Sequence, residues 1–76
     1  MVTLQLTSGM ISYTKENKGL LKIKIGQEIS LEELLHKANI DLREVGLVLK
    51  GEQKVEMADT VKDGEHLTIL PQLWGG

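Results

Sequence analysis

The chain has 76 residues, of which 41% are apolar and 26% charged, with a formal net charge of −2 at pH 7. These values are typical of one small globular domain and argue against a disordered chain and against a basic nucleic-acid-binding surface. The chain has no cysteine, which excludes disulfides and thiolate metal sites. It also has no apolar run of membrane-spanning length and no signal peptide, so we expect a cytoplasmic protein that binds neither membrane nor nucleic acid.

The first third of the chain has the alternation of apolar and polar residues that is typical of a β-hairpin. Residues 2–7 predict the first strand, and residues 20–25 predict the second. Between them we expect a bulge at Ser8-Gly9, a continuation of the strand over residues 10–13 and a loop over residues 14–19. The apolar residues expected to face the core are Val2, Leu4, Leu6, Leu21, Ile23 and Ile25.

The clearest local signal in the sequence marks the start of a helix. Ser30 is a typical N-cap, and Glu33, three residues later, completes a capping box. The helix is predicted over residues 31–38, with Asn39 ending it in the left-handed conformation and Ile40 folding back onto the last turn. The apolar stripe expected to lie on a sheet consists of Leu31, Leu34, Leu35 and Ala38.

The region after the helix predicts a strand and a short piece at a sheet edge. The mostly apolar residues 45–50 predict the strand, Gly51-Glu52 a turn, and residues 53–55 the edge piece. Residues 57–61 have no clear period, and we expect them to be irregular.

A strong turn signal, Asp63-Gly64, precedes the last predicted strand at residues 65–70. A crossover leads into this strand, so we expect it to lie parallel to the first strand in the middle of a mixed sheet, with Leu67 and Ile69 inward. One helix with one apolar stripe can cover one face of a four- or five-stranded sheet. The sequence therefore predicts an α+β domain over residues 1–71, followed by a flexible C-terminal tail over residues 72–76.

The tail ends on two consecutive glycines, Gly75 and Gly76. Glycines leave a main chain slim enough to enter a narrow channel, and they leave the carboxylate of Gly76 free of side-chain bulk. The six residues after Leu70 can extend at most about 20 Å. Leu73 and Trp74 either fold back onto the sheet or anchor the tail in a partner's pocket, since tryptophan is enriched at interface hot spots.

Residues 61–71, followed by the terminal Gly75-Gly76, resemble the MoaD/ThiS family of sulfur carriers. In that family an Asp-Gly-acidic turn, a short apolar strand and often a proline precede a terminal Gly-Gly, and residues 46–52 also resemble its strand and turn after the helix. The resemblance implies a ubiquitin-like β-grasp fold, with a mixed sheet of four or five strands covered by one main helix. The chain departs from the family pattern in its first hairpin, in Gln72 at the place of a second proline, and in Trp74 at the place of a small residue.

The resemblance implies a protein that is the substrate of an enzyme and not an enzyme itself. An adenylating partner of the ubiquitin-activating type (MoeB/ThiF-like) would use ATP to adenylate the carboxylate of Gly76. Sulfur from a sulfur donor enzyme would then displace AMP and leave a thiocarboxylate. The chain itself is expected to bind no cofactor and no metal; His36 and His66 lie on different predicted elements and are expected to be exposed.

Several pathways stay open within and beyond this family. The proline at position 71 and the chain length favour molybdopterin or tungstopterin synthesis, with the chain as the small subunit of molybdopterin synthase beside a large catalytic subunit. A ThiS-like carrier that serves thiazole synthase in thiamine synthesis, and a carrier for tRNA thiolation, are alternatives. A ubiquitin-like modifier joined to lysines and a plain binding module are alternatives of a different class.

Overall fold

The computed structural model describes residues 1–7 and 19–72 of the chain. Within these residues the protein is an α+β domain, in which one α-helix covers one face of a mixed five-stranded sheet. The helix, α1, spans Leu31–Lys37, and a 3₁₀ turn at Leu42–Glu44 links it to the next strand. The strands are β1 (Val2–Leu6), β2 (Leu20–Ile23), β3 (Ile29–Ser30), β4 (Val45–Lys50), β5 (Gln53–Lys54), β6 (Thr60–Val61) and β7 (His66–Pro71).

The last strand lies in the middle of the sheet, whose strand order is β2-β1-β7-β4-β5. β7 is parallel to β1, with Leu4 opposite Leu67, and it is antiparallel to β4. β1 and β2 are antiparallel neighbours, as a hairpin requires. The predicted hairpin pairing, the central position of the last strand and its parallel pairing with the first strand are therefore confirmed.

The hydrophobic core lies between α1 and the sheet. Every second residue of β1 and β7 points into it, as the alternation predicts. Leu21, Ile23 and Ala38 pack against it while partly buried. The largest fully buried side chains are Leu4, Leu6, Leu31, Leu34, Leu35, Leu67, Ile69, Val2 and Val61. The predicted core faces of both strands and of the helix are therefore confirmed.

Local hydrogen bonds fix the start of α1. The Ser30 side-chain oxygen accepts a hydrogen bond from the backbone N–H of Glu33 at 3.1 Å, as the capping box predicts. The helix ends at Lys37, one residue before the predicted end. None of the helical segments in residues 1–7 and 19–72 has the length and hydropathy needed to cross a membrane.

The end of α1 is a Schellman motif. Asn39 has a φ of 60°, so it takes the left-handed conformation that was predicted. Its N–H donates to the carbonyl of His36, and the N–H of Ile40 donates to the carbonyl of Leu35, both at 3.0 Å. Ile40 is buried, as expected for a residue that folds back onto the last turn.

The last two residues of one predicted irregular segment form a strand instead, and the bounds of four predicted strands differ. Within residues 57–61, which were expected to be irregular, β6 pairs with β3 in a small antiparallel ladder, with Ile29 opposite Val61. A pairing of two residues is too short to produce a sequence period, so tertiary contact decides it. β7 begins and ends one residue later than predicted, and β2 ends two residues earlier. β1 and β5 each end one residue earlier than predicted. The predicted bulge at Ser8-Gly9, the continuation over residues 10–13 and the loop up to residue 18 lie outside the described residues.

Candidate functional site

The predicted site residues Leu73, Trp74, Gly75 and Gly76 lie outside the described residues. The structure does describe the place where the chain that leads to them leaves the sheet. We call this place the tail root. It consists of Glu44, Gly46, Leu47, Leu70, Pro71 and Gln72.

Gln72, which was predicted to be the first residue of the tail, is hydrogen-bonded to the start of β4. Its backbone N–H donates to the carbonyl oxygen of Glu44 at 2.8 Å, and Pro71 before it pairs with Val45. The sheet therefore holds the main chain as far as Gln72. The four residues beyond Gln72 can reach at most about 14 Å, instead of the 20 Å expected from a strand that ends at Leu70.

A β-bulge in β4 shapes the tail root. Val45 lies opposite Pro71 and Leu47 lies opposite Leu70, so Gly46 between them has no partner in the register. A Cβ atom at Gly46 would lie 2.5 Å from the carbonyl oxygen of Pro71 and 2.9 Å from its carbonyl carbon. Since these are backbone atoms, the close approach of the two strands requires a residue without a side chain at this position.

In the sequence, Gly46 has the place of an ordinary residue of the predicted strand over residues 45–50, and this pattern does not predict its role at the tail root. A signal for it exists, because an isolated glycine inside a strand pattern often marks a bulge or a close approach of two backbones. The sequence does not show which strand comes close, since Gly46 and Pro71 lie far apart along the chain. Only the pairing of β4 with β7 brings them together.

Beside the bulge lies a small apolar pocket at the point where the chain leaves the sheet. Its volume is about 370 Å³, and its lining consists of Gly46, Leu47, Leu70, Pro71 and Gln72. Leu47 and Leu70 are cross-strand neighbours and are half-buried. The pocket thus places apolar surface directly at the tail root.

The pocket belongs to the sheet face that α1 does not cover, which we call the outer face. By the strand register, the side chains on it are Thr3, Gln5, Leu20, Lys22, Leu47, Leu49, Lys54, His66, Thr68 and Leu70. These strand residues include two lysines and no carboxylate, and the Nζ of Lys54 lies 3.5 Å from Glu56 Oε1. The outer face therefore carries mainly leucine, threonine and glutamine side chains, with Lys22 on one edge strand and the Lys54–Glu56 pair at the other.

The carboxylates with altered pKa values take part in structural contacts. Glu65 accepts hydrogen bonds from Lys50 Nζ and from the backbone N–H of Lys62, each at 2.7 Å. The Lys50 ammonium contributes most to lowering the pKa of the Glu65 carboxyl, and the Lys62 N–H contributes next. Since Glu65 is held ionised by two partners, it is poorly suited to act as a general base.

Two further carboxyls have lowered pKa values. The side-chain hydrogen bond with Arg43 lowers the pKa of Asp41, and the amino group of Met1 lowers the pKa of Asp63. Asp41 caps the 3₁₀ turn that contains Arg43, and Asp63 lies in the turn before β7. Across residues 1–7 and 19–72, no three His, Asp or Glu side chains lie close enough to hold a metal ion. His36 and His66 are exposed, as predicted.

Compared with models of known protein families and with curated proteins, the chain has no significant match in either. The tail root and the outer face together offer a partner an apolar surface beside the point from which the chain continues to residues 73–76.

Proposed function

We propose that this protein is a sulfur carrier of ubiquitin-like β-grasp fold whose working group is the carboxylate of Gly76. A MoeB/ThiF-like partner transfers AMP from ATP to this carboxylate and releases pyrophosphate. Hydrosulfide delivered by the sulfur donor enzyme then attacks the acyl carbon, the C–S bond forms as the C–O bond to AMP breaks, and AMP leaves. The product is a thiocarboxylate at Gly76, which passes its sulfur to a cofactor precursor.

The observation that carries this proposal is the course of β7. This strand lies in the middle of the sheet and leads, through a tail root held at Gln72, to Gly75 and Gly76 at the end of the sequence. A carboxylate is a poor electrophile, so it needs adenylation, and adenylation needs a buried site in a partner. A tail that ends on two glycines suits entry to such a site, since no Cβ crowds the reacting carbon.

The outer face supports the proposal because a carrier must dock on its partner while the tail is engaged. Docking surfaces typically have an apolar centre and a polar rim. Leu47 and Leu70 line the pocket at the tail root, and we expect a partner that binds the tail to contact them. Leu73 and Trp74 follow Gln72 in the sequence, and we propose that they contact the same partner.

Within this class, we propose molybdopterin or tungstopterin synthesis as the pathway, with the chain as the small subunit of molybdopterin synthase. The sequence features behind this choice are Pro71 at the end of the last strand and the length of the chain. The large subunit would then supply the catalytic groups for sulfur transfer. The thiazole and tRNA thiolation pathways differ in the acceptor, and the experiments below distinguish them.

Mass spectrometry tests the proposal directly. The intact mass of the protein isolated from its own cells checks first that Gly76 is the C-terminal residue. Incubated with the adenylating partner, magnesium, ATP and a sulfur donor, the protein is expected to gain the mass difference between one sulfur and one oxygen atom. Fragmentation is expected to place that gain on Gly76.

Three control reactions sharpen the test. A variant that lacks Gly76 and a variant with one residue added after it are expected to fold normally and not to react, whereas Gly75→Ala is expected to react more slowly.

A protein that is found joined to lysines and never gains sulfur would be a modifier. If neither product forms and the added residue has no effect in the cell, the chain is a binding module.

The acceptor identifies the pathway once the thiocarboxylate has been made. Sulfur is expected to pass to a pterin precursor when the large subunit of molybdopterin synthase is added. Transfer only in the presence of thiazole synthase, or only to tRNA, would assign the chain to the corresponding alternative.

A further inference from the structure

We propose that Gly46 sets the direction in which the tail leaves the sheet, and that this direction is needed for Gly76 to reach the adenylating centre of the partner. This inference rests on the proposed function and names a further residue for it. Gly46 is a positioning residue, since it lies in β4 and acts through the main chain of Pro71 and Gln72.

The start of β4 contacts the main chain of the tail root at two neighbouring points. The carbonyl of Glu44 accepts the N–H of Gln72 at 2.8 Å. Two residues later, Gly46 has no side chain, and this leaves room for the carbonyl of Pro71. The pyrrolidine ring fixes φ of Pro71, so few backbone angles can vary at this point.

A side chain at position 46 would disturb this arrangement in a defined way. Its Cβ would lie 2.5 Å from Pro71 O and 3.0 Å from Gln72 Cα, distances that force backbone atoms to move. Because φ of Pro71 is fixed, the strain is relieved by displacement of the Pro71 carbonyl and of Gln72. Gln72 is the residue from which the tail starts, so the displacement changes the starting direction of the tail.

Only four residues follow Gln72, up to Gly76, so they span at most about 14 Å and can make up for only a small displacement of their starting point. A misplacement of about 1 Å in a reacting group can already cost about 100-fold in rate. When the partner is docked on the outer face and confines the tail, the starting direction at Gln72 therefore decides whether the carboxylate reaches the adenylating centre.

The chain offers two matched controls. A Cβ at Gly26 would meet no atom within 4 Å, so Gly26→Ala makes the same chemical change at an open position. Val48 lies in β4 as well and is buried in the core, so Val48→Ala weakens the same strand without adding bulk at the tail root. A loss seen only with Gly46→Ala is therefore due to the tail root.

The test measures Kd for the adenylating partner together with kcat for thiocarboxylate formation at saturating carrier. For Gly46→Ala we expect kcat to fall at least about tenfold while Kd changes less than about threefold. Gly26→Ala and Val48→Ala are expected to keep the wild-type kcat. A role in stability alone would lower the amount of folded protein and not kcat at saturation.

A second measurement needs no partner. In amide NMR spectra of Gly46→Ala, shifts are expected to change at residues 44–47 and 70–72 and to stay constant elsewhere. The Gln72 amide is expected to exchange its hydrogen faster, because its bond to Glu44 is disturbed. Unchanged exchange at Gln72 would contradict the inference.

A third variant covers the case in which Gly46→Ala does not fold. Inserting one glycine after Gln72 leaves the sheet and Gly46 intact but changes the direction and length of the tail, and we expect it to lower kcat. If wild-type protein never gains sulfur, the proposed function itself fails. If wild-type protein reacts and the Gly46→Ala or insertion variant reacts equally fast, only the inference about Gly46 is overturned.

Discussion

The helix and the tail root are two places where the chain changes direction. The contacts that fix the helix ends join residues close together in the sequence, and those at the tail root join residues far apart. At α1, the capping bond joins residues three apart, and the Schellman bonds join residues three and five apart. At the tail root, Gln72 is bonded to Glu44, and Pro71 lies against Gly46. The helix ends are therefore specified by neighbouring residues, whereas the tail root exists only after β4 and β7 have paired.

Because of this difference, the ends of the helix can be predicted from the sequence and the tail root cannot. Capping residues have fixed offsets, so their pattern is visible without a structure. A close approach between two strands has no fixed offset, and the glycine that permits it looks like any other. The feature that we connect with function is of the second kind, which agrees with the general finding that bulges occur near functional sites.

The largest expected effect tests whether the locally specified helix also depends on tertiary packing. Leu34→Ala removes a fully buried side chain from α1 and should lower the free energy of unfolding by about 2–5 kcal/mol. An isolated helix of this length is unstable in water, so packing must hold it. Urea denaturation measures the change, and exposed Glu32→Ala is the control; equal midpoints for both variants would show that the apolar stripe is misplaced.

The next effect concerns the tail root itself. Gly46→Ala should lower the free energy of unfolding by about 1–3 kcal/mol, because added bulk in a packed site displaces backbone. Gly26→Ala, at an open position, should stay within about 0.5 kcal/mol of wild type. Denaturation midpoints of the two variants measure the difference, and an equal response would mean that β4 and β7 separate easily at Gly46.

A smaller effect is expected at the helix start. Ser30→Ala removes the acceptor for the Glu33 N–H and should cost about 1 kcal/mol. Ser30→Asp keeps an acceptor and should lose much less. The loss should appear as faster amide exchange in the first turn of α1; a uniform loss over the sheet would show that Ser30 acts mainly through the pairing of β3 with β6.

The smallest expected effect is a pH dependence of the stability that the Lys50–Glu65 ion pair contributes. The Lys50 ammonium lowers the pKa of Glu65 in the folded state, so the stability from this pair is present above the ordinary glutamate pKa of about 4.3. It is lost as the pH falls through the lower folded pKa. Glu65→Gln should therefore cost at most about 1 kcal/mol near pH 7 and should reduce the acid dependence of stability. Thermal unfolding between neutral and acid pH measures this, and parallel curves for wild type and variant would contradict it.

Several outcomes show which features of the fold can be predicted from local and periodic sequence patterns. The alternation in β1 and β7 placed the core residues correctly, because burial of one sheet face requires period two. The short pairing of β3 with β6 was missed, because two residues have no period. At the candidate site, the sequence predicted roles for Gly75, Gly76 and Trp74. It did not predict a role for Gly46, because that role depends on the Pro71 carbonyl close to it in space.

The sequence by itself determined the order of the main strands and the helix, the buried faces and the capping residues at both ends of the helix, since each depends on short offsets or on one repeating period. The crossover before the last strand predicted its central place in the sheet. The tertiary structure alone decided where the tail begins. It also decided that Gly46 must lack a side chain and that the outer face joins apolar leucines to the tail root. These features depend on which backbone atoms of distant strands come within contact distance, and only the packed sheet sets those distances.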